Sequence, residues 1–552
     1  MSANRPGASS IPAASAAMAA VCLGGLAWLF AGNPRLIASW HGFLHTGIAG
    51  SFSHSFPPEN PYFAGEPLPY YWFYHFAGYW LSRALLLNPL FIFQAISWTS
   101  LLALVFAAGA IGRRCLKSSL AGVAIAYLGL CGLNPLGPAI AAAKHLSRGA
   151  PLVERWNGPI ETTFVSNNLA DRLMTEPLLG AMFLGNDWRQ GPALVWFFDI
   201  GSRAPALAGL MTLLYLLLKP APDPRRYLAI VALSALVTAL NPLIGLAAAG
   251  ALGLASLILR RMPLFLLSVA CGVGALLAIP TYYQMFFRVS GSSGIGLRDM
   301  TGTPVVALNF LALLPLAVLG ARKAANRQLT WIAAAGAILL ALLAVVHLPE
   351  GNEHNLGNAA QCLLAIPAGA FVAYISRARI AIVFAIFIPV TAATLFAFTD
   401  RPAMPLAAGG PTLTRTPDDS GLQPFYDWIR RDTPRQTIFI VNPETPVKMS
   451  GNASELPAFT SRTLFTDLPN YLTTPNRDAA FRAQLAKDAT EGQPLTAPQR
   501  EYLMRFGRPV YVVTYQARGG GPVDRLTALY GPPAFQRGIV AAFGLADTQA
   551  RR

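Results

Sequence analysis

The chain is short of charged residues: only 12% of its 552 residues are Asp, Glu, Lys or Arg, whereas 54% are hydrophobic. A soluble domain usually carries about a quarter charged residues, so this deficit excludes an ordinary soluble protein. Uncharged runs recur over residues 1–400, and many approach the roughly 20 apolar residues that a bilayer requires. The composition predicts a polytopic α-helical membrane protein.

Cysteine is scarce and follows no pattern. The five cysteines lie within or at the ends of apolar runs and show no CxxC spacing, which excludes a disulfide framework and a cysteine-based metal site. The net charge of +16 does not indicate nucleic-acid binding, because the basic residues fall in short clusters between apolar runs. That distribution is typical of cytoplasmic membrane loops.

The apolar runs predict about eleven transmembrane helices. The first run is interpreted as an uncleaved span, because it is longer than a usual signal-peptide core and no convincing cleavage site follows it. The predicted spans are 14–31, 89–111, 118–142, 204–218, 227–240, 243–259, 264–287, 304–321, 329–347, 359–376 and 380–398.

The basic clusters predict the orientation. With a cytoplasmic N-terminus, every cluster between spans falls on the cytoplasmic side, as the positive-inside rule requires. This arrangement holds only if the aromatic segment 70–87 lies in the membrane interface without crossing. The clusters are Arg113/Arg114/Lys117, Lys219/Arg225/Arg226, Arg260/Arg261, Arg322/Lys323/Arg327 and Arg377/Arg379.

Three segments are then predicted to lie outside: a first outer loop, 32–88, with helix candidates at 39–53 and 70–87, a long loop, 143–203, and a short polar loop, 348–358. Residues 1–400 would form the transmembrane domain and 401–552 a small extracytoplasmic α/β domain. In that domain we predict helices at 422–432, 477–488 and 496–506, strands at 437–441 and 509–514, and loose order after Gly519.

This arrangement resembles the GT-C superfamily of integral-membrane glycosyltransferases, such as protein mannosyltransferases and the aminoarabinose transferase of lipid A. The resemblance rests on the first outer loop with two interfacial helices, the Gly112-Arg113-Arg114 turn, a short hairpin at Asn241-Pro242 and the C-terminal α/β region. Local carriers are Pro57-Pro58-Glu59-Asn60-Pro61, Gly65-Glu66-Pro67-Leu68, Asn352-Glu353 and Tyr426-Asp427-Trp428-Ile429-Arg430.

The resemblance implies transfer of a sugar from a polyprenyl phosphate to an acceptor, with an acidic residue of the first outer loop as general base. In this chain no Asp or Glu precedes Glu59, and Trp40-His41-Gly42 stands where relatives tend to have Asp. The catalytic candidates are therefore His41, because histidine accepts a proton near neutral pH, together with Glu59 and Glu66. Local structural roles for these residues remain the alternative.

Further residues are candidates for substrate binding. His45 lies on the same helix face as His41, and with His54 and Glu59 it would be an alternative site for a divalent cation. Tyr70 and Tyr71 would stack a sugar or anchor the interface, and Asp199 and Arg203 can satisfy each other. The other candidates are Asp171 and Arg172, Arg288 and Arg298 for lipid phosphate, and Asn352, Glu353 and His354.

The sequence therefore predicts a multi-pass enzyme of the inner (plasma) membrane that moves a sugar from a polyprenyl-phosphate donor to an envelope glycan, lipid or protein by a metal-independent displacement. Membrane lipids are the expected surroundings, and no nucleic acid is expected as a partner. The alternatives are a transporter of lipid-linked glycans, against which stands the scarcity of charge in the spans, and a GT-C scaffold without catalysis.

The topology can be tested with reporter fusions after Arg114 and after Asp400. Arg114 follows the second predicted span and Asp400 follows the eleventh, so a cytoplasmic N-terminus puts Arg114 inside and Asp400 outside. We therefore expect the two reporters to indicate opposite sides of the membrane. Reporters on the same side would contradict the orientation and the interfacial position of 70–87.

Overall fold

The computed structural model describes residues 35–37, 40–133, 193–198, 200–219, 224–288, 296–297, 309–348, 352–375, 377–388, 391, 403–407, 410–411, 422–443, 456–467, 476–515 and 523–545. The predicted span 14–31 and most of the predicted loop 143–203 lie outside these residues.

Helices dominate the described part of the first 400 residues. Four of the apolar helices begin at a side-chain cap: Asn88, Ser118, Asn241 and Asn326 each accept a backbone N–H with their side chain at a helix start, as N-caps do. The helices are α1 (Trp40–Ser51), α2 (Phe73–Leu85), α3 (Pro89–Ala110), α4 (Ser119–Cys131), α5 (Leu194–Phe198), α6 (Arg203–Leu218), α7 (Pro224–Leu240), α8 (Pro242–Ile258), α9 (Met262–Leu277), α10 (Tyr283–Arg288), α11 (Leu313–Ala324), α12 (Arg327–Val345), α13 (His354–Val372) and α14 (Arg377–Ile386).

The helices follow the predicted spans, but at five places their bounds differ. Helices α4 and α14 end at Cys131 and Ile386, well before the predicted 142 and 398. The span predicted at 264–287 is broken, because α9 ends before the 3₁₀ turn Ile279–Thr281, which contains Pro280. Helix α11 begins at Leu313, later than the predicted 304. Helix α13 begins at His354 and so absorbs half of the loop predicted at 348–358.

Among the described residues, two helical stretches are long and apolar enough to cross a membrane by themselves, Pro89–Cys115 and Arg327–Val345. The first is α3 with its π-helical continuation Ile111–Cys115. Four shorter apolar helices of 10–17 residues accompany them, namely α4, α6, α8 and α9. The count of eleven crossings stays a prediction.

Helix α13 lies at the centre of the helical packing. It contacts α4, α6, α8, α11 and α12, and all its residues except Phe371 are buried. Helix α11 approaches it backbone to backbone, because a Cβ on Gly320 would lie 1.8 Å from the Pro367 carbonyl oxygen. Only glycine permits that approach.

The described strands are β1 (Arg35–Ile37), β2 (Gly296–Leu297), β3 (Val346–His347), β4 (Ala403–Ala407), β5 (Gly410–Pro411), β6 (Ile438–Ile440), β7 (Thr463–Leu464), β8 (Val510–Tyr515), β9 (Phe535–Arg537) and β10 (Val540–Gly544). The C-terminal region contains a five-stranded mixed sheet in the order β7-β6-β8-β10-β9, in which β6 is parallel to β7 and β8, and β10 is antiparallel to β8 and β9. Its helices are α15 (Leu422–Asp432), α16 (Leu456–Thr460), α17 (Ala479–Thr490), α18 (Ala497–Met504) and α19 (Val523–Tyr530).

The α/β character predicted for this region therefore appears in the described residues, and α15 has the predicted bounds. The prediction of loose order after Gly519 is wrong, because α19, β9 and β10 follow it and β10 fills the sheet between β8 and β9. Strand β4 (Ala403–Ala407) pairs with β1 (Arg35–Ile37), so the start of the predicted first outer loop contacts the segment just after residue 400. A domain boundary at residue 400 stays a prediction.

The close approach at Gly320 can be tested by Gly320→Ala. The new methyl group must push the α11 and α13 backbones apart, and overpacking of this kind typically costs about 1–3 kcal/mol. We expect a lower thermal unfolding midpoint in detergent. The matched control is Gly272→Ala in α9, where a Cβ meets no atom within 4 Å. Equal midpoints for the two variants would contradict the backbone contact.

Candidate active site

Residues 57–68, here named the Glu59 turn, fold back on themselves. The Asn60 N–H donates to the Glu66 carbonyl at 2.8 Å and the Leu68 N–H donates to the Pro58 carbonyl at 3.1 Å. Gly65 adopts φ +79°, and a Cβ there would lie 2.7 Å from the Phe506 ring. Glycine is thus required by both its backbone conformation and its neighbour.

Glu59 is buried within this turn and bound on all sides. Arg508 donates two hydrogen bonds to its carboxylate, each of 2.7 Å, and the Gly65 N–H donates a third of 2.6 Å. The Nε2 atom of His54 lies 3.3 Å from Oε2. Burial alone would raise the pKa of Glu59, but the hydrogen bonds from His54 and Arg508, the charge of Arg508 and the Gly65 N–H lower this pKa to about 2. A carboxylate with this pKa is a weak base at neutral pH.

The Glu59 turn also docks on the C-terminal region. The Leu464 N–H donates to the Pro61 carbonyl at 2.8 Å, and the Ala64 N–H donates to the Leu464 carbonyl at 3.0 Å, which extends the edge of β7. Arg482 is 3% exposed and donates to the Ala64 carbonyl at 2.6 Å. Its guanidinium carbon lies 3.9 Å from the centre of the Phe63 ring. Glu66, by contrast, is half-buried on the same turn.

His45 and His75 form a second buried pair. His45 lies on α1 and is 2% exposed, and His75 lies on α2 and is fully buried. The Nδ1 atom of His45 is 2.7 Å from the Nε2 atom of His75. Burial lowers the pKa of His75 to about 3, although the backbone carbonyls of Tyr71 and Trp72 act in the opposite direction. His75 is therefore neutral at physiological pH.

A chain of polar side chains leads away from this pair through four parts of the fold. The Tyr70 hydroxyl donates to the Tyr71 hydroxyl at 2.7 Å, and the latter lies 2.6 Å from the Ser202 hydroxyl. Asn241, between α7 and α8, donates to Ser202 at 3.4 Å and to Asn355 at 3.3 Å. The side-chain oxygen of Asn241 caps α8 by accepting from the Ile244 N–H.

Arg203 is also part of this network. Its Nε donates to the Asn355 side-chain oxygen at 3.1 Å, and its guanidinium carbon lies 3.9 Å above the Trp196 ring. The Trp196 ring in turn stacks on His354, with centroids 5.6 Å apart and an interplanar angle of 22°. A positive charge is thus held at the junction of α5, α6 and α13.

Asn352 and Glu353, two of the predicted substrate-binding residues, form the turn that precedes α13. The Asn352 carbonyl accepts from the Asn355 side chain at 2.8 Å. Glu353 is buried; its carboxylate accepts from the Leu348 N–H at 3.2 Å and lies 3.5 Å from Nδ1 of His347. These contacts fix the turn that presents Asn355 and His354.

The sequence-predicted residues thus separate into two groups. One group lies on or beside the polar network and consists of Tyr70, Tyr71, His45, Asn352 and His354. Glu59 lies instead in the interface between the Glu59 turn and the C-terminal region. The His41 backbone lies in α1 and the Arg288 backbone in α10, but their side chains, like residues Asp171, Arg172, Asp199 and Arg298, lie outside the described part of the chain. Their predicted roles stay predictions.

Sequence reasoning missed His75, Ser202, Asn241 and Asn355. The sequence analysis treats Asn241 only as a hairpin position, although an amide inside an apolar run requires hydrogen-bond partners. That requirement was the available signal, as it was for Asn355. Ser202 and His75 gave no comparable signal, because serine and histidine side chains near a helix end can form hydrogen bonds with many different partners.

Two residues of the divalent-cation alternative, His45 and Glu59, contact other side chains. His45 pairs with His75, and Glu59 is occupied by Arg508. Among the described residues, no group of three His, Cys, Asp or Glu side chains is arranged to hold a metal ion.

Comparisons with known proteins bear on the fold. No protein-family model matches the chain, and no curated protein matches its sequence. The crystal structure of ArnT from Cupriavidus metallidurans in the apo state matches with a TM-score of 0.52 at 12% identity, over 97% of this chain and 99% of ArnT. ArnT bound to undecaprenyl phosphate matches with the same TM-score and identity, over 97% of this chain and 98% of that one.

The arabinofuranosyltransferase AftD from Mycobacteria also matches, with a TM-score of 0.52 at 15% identity, over 97% of this chain but only 40% of AftD. These matches confirm the predicted resemblance at the level of fold. The chain therefore shares the helical fold of ArnT and AftD.

The Glu59–Arg508 pair can be tested by Arg508→Met. Removing one partner of a buried pair leaves an uncompensated charge and costs about 3–5 kcal/mol, so we expect a clearly lower thermal unfolding midpoint. The matched control is Arg505→Met, which breaks only the exposed pair with Glu501.

This effect should depend on pH. The pKa of Glu59 falls from 4.5 to about 2 on folding, so the stabilisation is complete above pH 4.5 and is lost as the pH falls towards 2. The midpoint difference between wild type and Arg508→Met should therefore shrink as the pH falls below 4.5. A constant difference over this range would contradict the ion pair.

Proposed function

We propose that this protein is a membrane glycosyltransferase that moves a sugar from a polyprenyl-phosphate donor to a cell-envelope acceptor on the outer face of the inner membrane. The supporting observation is the network that joins Tyr70 and Tyr71, Ser202 and Arg203, Asn241 and Asn355. The end of the first outer loop and the start of α13 meet there.

Arg203 would bind the donor phosphate. An arginine held by Asn355 on one edge and by Trp196 on one face is preoriented, and guanidinium groups match phosphate oxygens in geometry and charge. ArnT, which has the same fold, has been solved with undecaprenyl phosphate, and this lipid is therefore the probe of choice. Arg288 and Arg298 remain predicted contacts for the same phosphate.

In the proposed reaction the acceptor hydroxyl oxygen attacks the anomeric carbon while the bond from that carbon to the phosphate oxygen breaks. The electron pair leaves with the polyprenyl phosphate, and a base takes the hydroxyl proton. Inversion at the anomeric carbon follows from a single displacement. Polar side chains fixed in advance at the leaving phosphate lower the barrier, because they need no reorganisation during the step.

The transfer can be tested with the reconstituted protein, undecaprenyl phosphate carrying labelled sugars, and the envelope fraction of a strain lacking the gene as acceptor. We expect label to move into the envelope fraction, and to do so in the presence of EDTA. Label that crosses vesicles without transfer would favour the transporter alternative, and neither transfer nor transport would favour the scaffold.

The phosphate contact predicts that Arg203→Ala weakens undecaprenyl phosphate binding by about 10-fold or more, because a hydrogen bond to a charged group contributes about 1.5–3 kcal/mol. Arg203→Lys keeps the charge and should weaken binding less. Dissociation constants in nanodiscs provide the measurement, with the exposed Arg261→Ala as control. Unchanged affinity in Arg203→Ala would exclude this contact.

A further inference from the structure

The end of α6 that lies away from Arg203 is surrounded by basic side chains. Helix α6 has 16 residues and is therefore roughly 24 Å long, so this end is well separated from the polar network that contains Arg203. Four exposed basic residues lie here and are named the α6 basic cluster: Arg113, Arg114, Lys117 and Lys219.

Two hydrogen bonds bring neighbouring segments to this end of α6. Arg114, in the π-helical continuation of α3, donates to the Tyr215 hydroxyl at 2.9 Å. Arg226, in the first turn of α7, donates to the Leu217 carbonyl at 3.0 Å. Lys219 directly follows α6. Three segments of the chain therefore place basic side chains around one helix end.

The turn between α3 and α4, which carries three members of the cluster, is held by its own backbone. The Leu116 N–H donates to the Ile111 carbonyl at 3.0 Å, and the Ser118 N–H donates to the Gly112 carbonyl at 2.8 Å. The Ser118 hydroxyl also caps α4 by accepting from the Ala121 N–H at 3.1 Å. The basic side chains therefore project from a fixed turn, which limits the entropy lost when they bind a ligand.

No carboxylate offsets these charges in the part of the chain that the structure describes. Before residue 400 the described carboxylates are Glu59, Glu66 and Glu353, which lie in the Glu59 turn or directly before α13. Arg113 and Lys117 have no hydrogen-bond or ion-pair partner among the described residues. A group of cations without counter-charges attracts an anion.

Exposed apolar side chains lie close to the same charges. Phe106 on α3 is 63% exposed and lies about two turns before Arg113. Leu228 on α7 is 71% exposed and follows Arg226 by two residues, and α6 packs against both α3 and α7. A free anion gains nothing from this apolar surface, whereas a phospholipid joins a phosphate to acyl chains. Basic sites between membrane helices bind anionic lipid head groups in this way.

We propose that the α6 basic cluster binds the phosphate of an anionic phospholipid whose acyl chains lie along Phe106 and Leu228. Arginine and lysine donate charge-assisted hydrogen bonds to phosphate oxygens. The predicted orientation puts this site in the cytoplasmic leaflet, on the other side of the membrane from the proposed reacting centre. The inference therefore goes beyond the proposed function and does not depend on sugar transfer.

The test measures the binding of phosphatidylglycerol to the full-length protein in a neutral detergent by native mass spectrometry. Each basic residue near an anionic head group contributes about 5-fold in affinity, so Arg113→Gln/Lys117→Gln should bind this lipid about 10-fold or more weakly than wild type. Its thermal midpoint without lipid should stay near that of wild type, because neither side chain has a described partner. Arg113→Lys/Lys117→Arg keeps both charges and should retain the affinity of wild type.

The matched control is Arg260→Gln/Arg261→Gln, which removes two exposed charges from the turn between α8 and α9 and gives the same net charge. Its affinity for phosphatidylglycerol should stay near that of wild type. Equal weakening in the two double glutamine variants would overturn the proposal, because the attraction would then be diffuse. Displacement of the lipid by inorganic phosphate, or tighter binding of undecaprenyl phosphate that depends on Arg113 and Lys117, would overturn the assignment to a phospholipid.

Discussion

The bidentate contact between Glu59 and Arg508 is the constraint on which the arrangement of the site depends. A buried carboxylate without a partner is expensive, so the Glu59 turn has to remain where Arg508 can reach it. Arg508 lies directly before β8, and Arg482 holds the same turn from α17. The loop before α2 and the C-terminal sheet therefore share one interface, although the sequence separates them by hundreds of residues.

The buried polar side chains of the helical region also need hydrogen-bond partners. Asn241, Asn355 and Gln361 are all buried, and each amide finds partners on another helix or turn. Gln361 donates to the Leu128 carbonyl and accepts from the Ala193 N–H. Since unpaired amides destabilise an apolar interior, these contacts fix α13 against α4, α5 and α8. The rigidity of the proposed site follows from these hydrogen bonds as much as from apolar packing.

Much of the helical pattern could be predicted from the sequence, because apolar length and helix caps are local features. The bounds of α3, α6, α8 and α15 agree with their predictions within a residue or two. The start of α13 could not be predicted, because His354 to Asn358 resemble a polar loop until their partners on other helices are known. For the same reason Glu59 resembled a catalytic acid: only the fold brings Arg508 to it.

Helix α1 lies between the C-terminal region and the polar network, because one of its faces packs on α16 and the other faces His75. Phe43, Gly47 and Gly50 share one face, where Phe43 contacts Phe459 with ring centroids 5.6 Å apart and the two glycines lie against Pro457 and Ser461. His45 lies two residues from Phe43 and therefore on the opposite face, towards His75. The narrow glycine face lets α16 press against the helix, and the Tyr62 hydroxyl, which belongs to the Glu59 turn, donates to the Phe43 carbonyl. The position of α1, and with it the position of His45, is therefore fixed by its contacts with the C-terminal region and the Glu59 turn.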